Sequence, residues 1–255
     1  MSTETLLELY RTGSKHSQYQ ALPARIRSLL PPGSVSYKSR HERERLEFLC
    51  GKVDFDGRKV ADIGGNTGYF AFEILDRGAA SVDYFEGNLE HHQFVSHAAR
   101  LLGLDGRLRT YCRYLDFGVP NLGRYDVVLL LNVLHHIGDD YGDQATGIEQ
   151  VLPTMRSSLR ILARHARRLV FQVGFNWKGD STLPIFENGS RSDVIDLVAS
   201  VSDAWEVEAV GIACRNGDKV VYEDLSPTNV GRDDSLGEFL NRPLFVLRSR
   251  LAVGE

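Results

Sequence analysis

The fold is decided by residues 59–75, KVADIGGNTGYFAFEIL, which predict a strand, a glycine turn and a helix. The run at 60–63 is mostly apolar and does not alternate, as in a parallel strand buried on both faces. Gly64 and Gly65 then allow a sharp turn and a close approach of the backbone to a ligand. A ligand held there would lie at the carboxyl end of a strand, where open α/β sheets bind their ligands.

The spacing of the glycines distinguishes two classes of cofactor. A dinucleotide-binding turn requires G-x-G-x-x-G, but here the glycines stand at 64, 65 and 68, with Asn66 between them. This turn resembles motif I of the class I S-adenosylmethionine-dependent methyltransferases, an acidic residue followed by G-x-x-x-G. An ordinary turn of another Rossmann-like domain is the alternative. The resemblance implies an α/β fold, a Rossmann-like, doubly wound sheet of seven mostly parallel strands with an antiparallel last strand.

The ends of the next two predicted strands supply further cofactor residues. Residues 80–85 predict a strand that ends at Glu86, 24 residues after Asp62. A carboxylate at about this distance accepts hydrogen bonds from the ribose hydroxyls, and Asp83 is the weaker candidate. Residues 108–113 predict the third strand. After it, the resemblance implies that Asp116 binds the adenine amine and that Leu115 or Phe117 covers the ring.

A fourth buried strand at 125–131 runs into the sequence NVLHH at 132–136. This region resembles motif IV of small-molecule and RNA methyltransferases, so four elements match the family in order over residues 60–136. The resemblance implies S-adenosyl-L-methionine as the cofactor and S-adenosyl-L-homocysteine as the product. The implied cofactor-binding residues are Asp62, Gly64, Gly65, Asn66, Gly68, Tyr69, Phe70, Glu86, Gly87, Asn88, Leu115, Asp116, Phe117, Asn132 and Val133.

The adjacent histidines His135 and His136 are the catalytic candidates. The pKa of histidine, near 6.5, suits a general base at neutral pH, and the two residues follow the strand expected beside the sulfonium. The alternative is that both only shape the pocket, because many methyltransferases act by proximity. His91 and His92 are expected to be solvated on a helix, and no metal site is predicted.

Residues 1–50 predict an N-terminal helical lid, and residues 51–255 a methyltransferase domain. Eight Lys or Arg residues lie between positions 11 and 45, against two glutamates. A solvated basic face on a packing helix is the alternative. Trp177, in the loop after the fifth strand, either stacks on a substrate or covers the core. The substrate-binding candidates are Tyr37, Arg40, His41 and Trp177.

Composition restricts the partners. The 255 residues are 42% hydrophobic and 25% charged, with a formal net charge of -4, which predicts one large core and disfavours nucleic acid while leaving it open. The three cysteines are widely spaced, and no run reaches the roughly 18 apolar residues of a membrane helix. These features predict a cytoplasmic enzyme without a membrane partner, and a homodimer is left open.

The sequence therefore predicts methyl transfer to oxygen or nitrogen of a small polar metabolite or natural-product intermediate. Two alternatives come from other classes. One is an RNA (tRNA) methyltransferase that uses the basic N-terminal segment, which would bind its substrate with a steep dependence on salt. The other is a non-catalytic protein that binds adenosylmethionine without turnover.

Overall fold

The computed structural model of the protein describes residues 2–13, 19–117 and 122–251. The α-helices are α1 (Thr3–Thr12), α2 (Ala24–Leu29), α3 (Glu42–Cys50), α4 (Tyr69–Asp76), α5 (Leu89–Leu101), α6 (Ile148–Leu162), α7 (Arg191–Ala199) and α8 (Gly237–Leu240). The strands are β1 (Lys59–Ile63), β2 (Ser81–Glu86), β3 (Leu108–Cys112), β4 (Tyr125–Leu131), β5 (Ala166–Gln172), β6 (Trp205–Asn216), β7 (Lys219–Asp224) and β8 (Leu244–Ser249).

The strands form a single sheet in the order β3-β2-β1-β4-β5-β8-β6-β7. The first five strands of this order pair in parallel, and β8 pairs antiparallel with both β5 and β6. The predicted Rossmann-like, mostly parallel architecture with an antiparallel last strand is confirmed. The predicted count of seven strands is one too low, because β6 continues through a turn at Asn216 and Gly217 into the edge strand β7.

Helices cover both faces of the sheet, so the apolar strands are buried on both sides. On one face, Ala61 packs in a cluster with Met155 and Leu159 of α6 and Val194 of α7. The indole Nε1 of Trp205 donates to Leu159 O at 2.8 Å across this layer, so its one polar group is satisfied in the core. The second apolar cluster lies on the other face. It contains side chains of β1, α1, α4 and α5, among them Val60, Leu6, Phe72 and Phe94. This doubly covered sheet holds the carboxyl ends of β2, β1, β4 and β5 side by side.

The described part of the N-terminal region is built into the second cluster. Leu6 of α1, Ile26 of α2 and Leu46 of α3 are buried there, and α1 packs against α5. Helix α3 has His41 as its N-cap and no side-chain cap, while Ser39 Oγ before it donates to Glu42 Oε2 at 2.6 Å. The division at residue 50 stays a prediction, and residues 1 and 14–18 of the predicted lid lie outside the described residues.

Among the described residues, every helix is too short or too polar to cross a lipid bilayer.

Candidate functional site

A cavity of about 490 Å³ opens at the carboxyl ends of β1, β2 and β4. This volume lies within the range of small-molecule sites. Many residues predicted from the sequence line the cavity, and they come from all four matched elements. The predicted residues on its wall are Arg40, Asp62, Gly64, Gly65, Asn66, Phe70, Glu86, Gly87, Asn88, Leu115, Phe117, Asn132, Val133 and His136.

The glycine turn between β1 and α4 requires its glycines for backbone reasons. Gly64 and Gly68 have φ angles of 69° and 82°, and Asn66 also adopts the left-handed region, with φ 52°. A Cβ added to Gly64 would lie 2.6 Å from Val133 Cγ2, so Gly64 lets the segment after β4 approach the turn. Gly68 and Tyr69 do not line the cavity; Gly68 precedes α4, and Tyr69 is buried at its first turn.

Glu86 is fixed beside this turn by backbone donors. Its Oε2 accepts from Asn66 N at 2.9 Å and its Oε1 from Asn88 N at 2.8 Å. The hydroxyl of Tyr84, a fully buried residue of β2, donates to Asn66 O and so holds the turn against the second strand. Burial raises the pKa of Glu86, while the hydrogen bonds from Asn88 and Asn66 act in the opposite direction. The carboxylate therefore faces the cavity in a fixed orientation.

Asp62 is a second buried carboxyl group on the same wall, with 3% of its surface exposed. Burial, followed by repulsion from Glu86, raises the pKa of Asp62 to about 7. Its Oδ2 has no hydrogen-bond partner among the residues that the structure describes. Asp62 and Glu86, called the acidic end below, thus offer acceptor atoms to hydroxyl or ammonium groups.

The predicted adenine site is only partly assembled on the cavity wall. Leu115 and Phe117 are buried and line the cavity, whereas Asp116 is exposed and is not among the lining residues. The ring of Tyr114 instead lies directly over Gly87, where an added Cβ would come within 2.3 Å of Tyr114 Cδ1. Sequence reasoning assigned no role to Tyr114, because only the fold brings it back onto the end of β2.

The two histidines differ in position. His135 is 2% exposed, lies beneath the wall, and accepts from Gly174 N through Nδ1 at 3.3 Å. Burial, then the charges of His136, Arg242 and Arg40, holds the pKa of His135 well below its usual range, so its ring is neutral. His136 lines the cavity, with Nδ1 3.5 Å from Asp140 Oδ2. Of the two candidates, His136 is the one with access to a ligand.

Of the four substrate-binding candidates, Arg40 alone is on the cavity wall among the described residues. Tyr37 packs against the second apolar cluster, and His41 is the residue before α3, with φ 58°. Trp177 is buried, and its Nε1 donates to Ile137 O at 2.6 Å. Between the two roles predicted for Trp177, this contact favours covering the core.

The structure adds several lining residues that the sequence analysis missed. Gln20 Oε1 accepts from Thr67 Oγ1 at 2.9 Å and from Tyr69 N at 3.2 Å, which satisfies a donor at the start of α4. His91 is 4% exposed and lines the cavity, so the expectation that it is solvated was wrong. The missed lining residues are Tyr19, Gln20, Glu42, Arg45, Ile63, Phe85, His91, Arg113, Tyr114, Leu131, Asp139, Asp140, Tyr141, Lys178 and Phe239.

Three arginines surround one aromatic ring at the other end of the cavity. The guanidinium carbons of Arg40, Arg45 and Arg242 lie 5.0, 5.2 and 5.1 Å from the centroid of Phe239. This set of four residues is called the basic end below. It combines α3 with the segment around α8, nearly 200 positions apart, and no local pattern connects the two.

One group of possible metal ligands lies on the wall. Single ligand atoms of His136, Asp139 and Asp140 are all within 4.8 Å of one another. Both aspartates are exposed, and we draw no metal site from them, because exposed acidic groups commonly lie together without an ion.

Comparisons with known proteins agree with the fold. No protein-family model matches the chain. Two curated proteins named tRNA U34 carboxymethyltransferase, from Campylobacter curvus and Campylobacter hominis, are 26% and 30% identical over 102 residues. Each match covers 37% of this chain and about a third of the relative, 31% and 33% respectively.

Among solved structures, a bifunctional kinase-methyltransferase, WbdD, matches with a TM-score of 0.56 and 13% identity over 95% of this chain and 46% of its own. WbdD in complex with the kinase inhibitor LY294002 gives a TM-score of 0.60, also at 13% identity, over 95% of this chain and 47% of its own. At this identity the match shows the fold alone. The resemblance to the class I methyltransferases is therefore confirmed at the level of the fold.

Proposed function

We propose that the protein is an S-adenosylmethionine-dependent methyltransferase. The observation that carries the proposal is the acidic end, where Glu86 and Asp62 meet the glycine turn on one cavity wall. These residues fit the cofactor. Each Glu86 oxygen accepts one backbone N–H and keeps acceptor capacity for a ribose hydroxyl. Oδ2 of Asp62 has no hydrogen-bond partner among the described residues, so it can accept from a donor such as the methionyl ammonium.

Bound S-adenosylmethionine would supply an activated methyl group, so the protein has to align the acceptor and exclude water. In this proposal Glu86 orients the ribose, the backbone at 64–66 contacts the methionyl half, and Leu115 with Phe117 covers the adenine. Asn132, with φ 62°, and Val133 border the space next to the transferred group. Asp116 lies off the wall, so its proposed adenine contact requires the loop after β3 to move.

We assign any general base to His136, which reaches the cavity, and a supporting role to His135 beneath it. If His136 accepts the proton of the acceptor, kcat/KM falls as pH drops through the pKa of its ring. His136→Gln should flatten that limb and leave the affinity for S-adenosylhomocysteine unchanged. Wild-type turnover of this variant across neutral pH would show that proximity is the mechanism.

As the acceptor we propose RNA, because both named curated relatives carry tRNA in their names. A small polar metabolite is the second candidate, and the observation that favours it is the enclosed basic end, where Arg45 is 4% exposed. We also propose that residues 19–50 close over the cofactor, since Gln20 and Arg40 already reach the cavity. Hydrogen exchange in this segment should slow when S-adenosylhomocysteine is added, and unchanged exchange would show that it is no lid.

Calorimetry tests the proposed function directly. We expect binding of S-adenosylmethionine and S-adenosylhomocysteine and none of NAD, and the reverse result would overturn the proposal. A donor labelled in its methyl group, incubated in parallel with total tRNA and with a small-molecule extract, then identifies the acceptor class. Label in the tRNA fraction supports RNA, and label only in the extract supports the metabolite.

A further inference from the structure

We propose that Arg40 and Arg45 form a subsite for an anionic oxygen group, a phosphate or a carboxylate, on the methyl acceptor. This inference rests on the proposed function and names the chemistry that the acceptor must bring to the basic end.

Arg45 has donors to spare although it is buried. The only hydrogen bond of its guanidinium among the described residues runs from one terminal nitrogen to Gln172 Oε1, at 3.2 Å, and Nε has no partner there. Glu42 Oε1 is 3.8 Å away, an ion pair without a hydrogen bond. A guanidinium carries five N–H donors. At 4% exposure, donors left without a hydrogen-bond partner cost folding free energy. Because Arg45 lines the cavity, a ligand can accept from it.

Arg40 adds a second cation on the same wall. Its guanidinium lies between the rings of Tyr19 and Phe239, 5.0 Å from each centroid, and makes no ion pair in the described part of the chain. Burial, then repulsion from Arg242 and Arg45, lowers the pKa of Arg40. An anion between Arg40 and Arg45 would remove this repulsion.

The nearby carboxylates are already occupied. Both oxygens of Glu42 accept from the backbone N–H of Arg40 at 3.0 Å, and one also accepts from Ser39 Oγ. Glu238 takes two bonds from Arg242, at 3.0 and 2.7 Å, and Arg242 donates its remaining branch to Asn132 Oδ1 at 2.7 Å. Arg242 is therefore a positioning residue, paired with Glu238. The basic end keeps one uncompensated positive charge, three arginines against two glutamates.

The location of the subsite separates it from the cofactor residues. Arg45 bonds Gln172 at the end of β5, whereas Glu86 stands at the end of β2. Three strand spacings lie between β2 and β5, on the order of 14 Å. The basic end borders Asn132, next to the position proposed for the transferred methyl group. An anion held there belongs to the acceptor, with Phe239 as an apolar wall beside it.

The test is calorimetric titration of the full chain with inorganic phosphate at constant ionic strength, with and without saturating S-adenosylhomocysteine. We expect one phosphate site in the wild type, with an affinity that changes less than about two-fold when the product is present. Arg40→Met should weaken phosphate binding about ten-fold or more, since it removes a charge-assisted hydrogen bond. Arg43→Met, an exposed arginine of α3 between Arg40 and Arg45 in sequence, is the matched control and should change phosphate affinity less than about two-fold.

Three results would overturn the assignment. They are absence of phosphate binding to the wild type, unchanged binding in Arg40→Met, and loss of the phosphate site when S-adenosylhomocysteine is bound. The last result would assign the arginines to the methionyl carboxylate instead. Failure to bind S-adenosylhomocysteine would contradict the proposed function alone, because the phosphate titration also runs without it. Thermal melting of Arg40→Met checks that this partly exposed site remains folded.

Two further titrations separate the sources of the anion. Acetate in place of phosphate distinguishes a carboxylate from a phosphate group. Displacement of bound phosphate by total tRNA assigns the group to RNA, and retention of phosphate in the presence of tRNA assigns it to a small acceptor.

Discussion

The two ends of the cavity are opposite in charge and in construction. At the acidic end, Asp62 and Glu86 are buried carboxyl groups, and Glu86 is held by backbone N–H groups. At the basic end, arginines gather around Phe239 and are held mainly by side chains. A rigid backbone frame fixes what the acidic end can bind, whereas exchanging a few side chains would alter the basic end. Under the proposed function, this difference suits an enzyme that shares its methyl donor with other methyltransferases but has a methyl acceptor of its own.

The largest expected effect comes from removing the buried cation of the basic end. Arg45→Ala leaves Glu42, which is 1% exposed, without its ion pair and opens space beside Phe70. We expect the free energy of unfolding to fall by about 3–5 kcal/mol. Urea denaturation measures the change, and Arg43→Ala, at 73% side-chain exposure, should change it by less than about 0.5 kcal/mol. Equal effects of the two substitutions would show that burial at Arg45 is unimportant.

The second effect concerns pH and the acidic end. The pKa of Asp62 is about 7 in the folded protein against 3.8 for the free side chain. Between about pH 4 and pH 7 the folded state holds a proton that the unfolded state has lost, so stability falls as pH rises through this window. In the wild type we expect the free energy of unfolding to fall by about 2–4 kcal/mol over this window, and Asp62→Asn should remove that fall.

Urea denaturation of wild type and Asp62→Asn at pH 5 and pH 8 measures this effect. Relative to the wild type, the variant should be more stable at pH 8 than at pH 5. A constant difference between the two proteins at both pH values would contradict the raised pKa.

The third effect separates binding from folding. Glu86→Ala should weaken the binding of S-adenosylhomocysteine by about 1.5–3 kcal/mol, because it removes the carboxylate proposed to accept the ribose hydrogen bonds. Phosphate binding at the basic end should stay unchanged in the same variant. Calorimetry with both ligands measures the two effects, and a parallel loss of both would show that the ends are not independent.

The smallest effect tests the aromatic ring that the arginines share. Phe239→Leu keeps the apolar wall and removes the ring face, which should cost about 0.5–2 kcal/mol of unfolding free energy. Phe48→Leu is a control outside the cavity, with one lysine, Lys52, 5.5 Å from its ring. Urea denaturation compares the two, and a larger loss in Phe48→Leu would contradict a special role for Phe239.

The same division explains what the sequence could predict. The acidic end depends on glycines and on residues at the ends of consecutive strands, so periodicity and spacing locate Gly64, Glu86 and Asn132. The positions of β1 to β4 along the chain followed from the same reasoning. Asp116 and His135 were predicted as site residues because each follows a strand. Neither lines the cavity, because the direction of each side chain depends on how the loop after the strand turns.

The basic end could not be predicted, because its contacts join residues remote in sequence. In the sequence Arg45 is one charge in a basic segment, and its partner Gln172 lies 127 positions further along the chain. Phe239 lies in the short helix α8 and Arg242 lies between α8 and β8, so only the folded chain brings them to Arg40 and Arg45.

The insertion of β8 between β5 and β6 also sets an order of events on the ribosome. Phe239 emerges 194 residues after Arg45, which at about 5–20 residues per second is a delay of about 10–40 s. During that interval β1 to β5 can already pair, and the glycine turn can form around its own strands. Arg40 and Arg45 contact Phe239 only after the chain up to α8 has been synthesised. A nascent chain can thus assemble the acidic end of the cavity well before the basic end is complete.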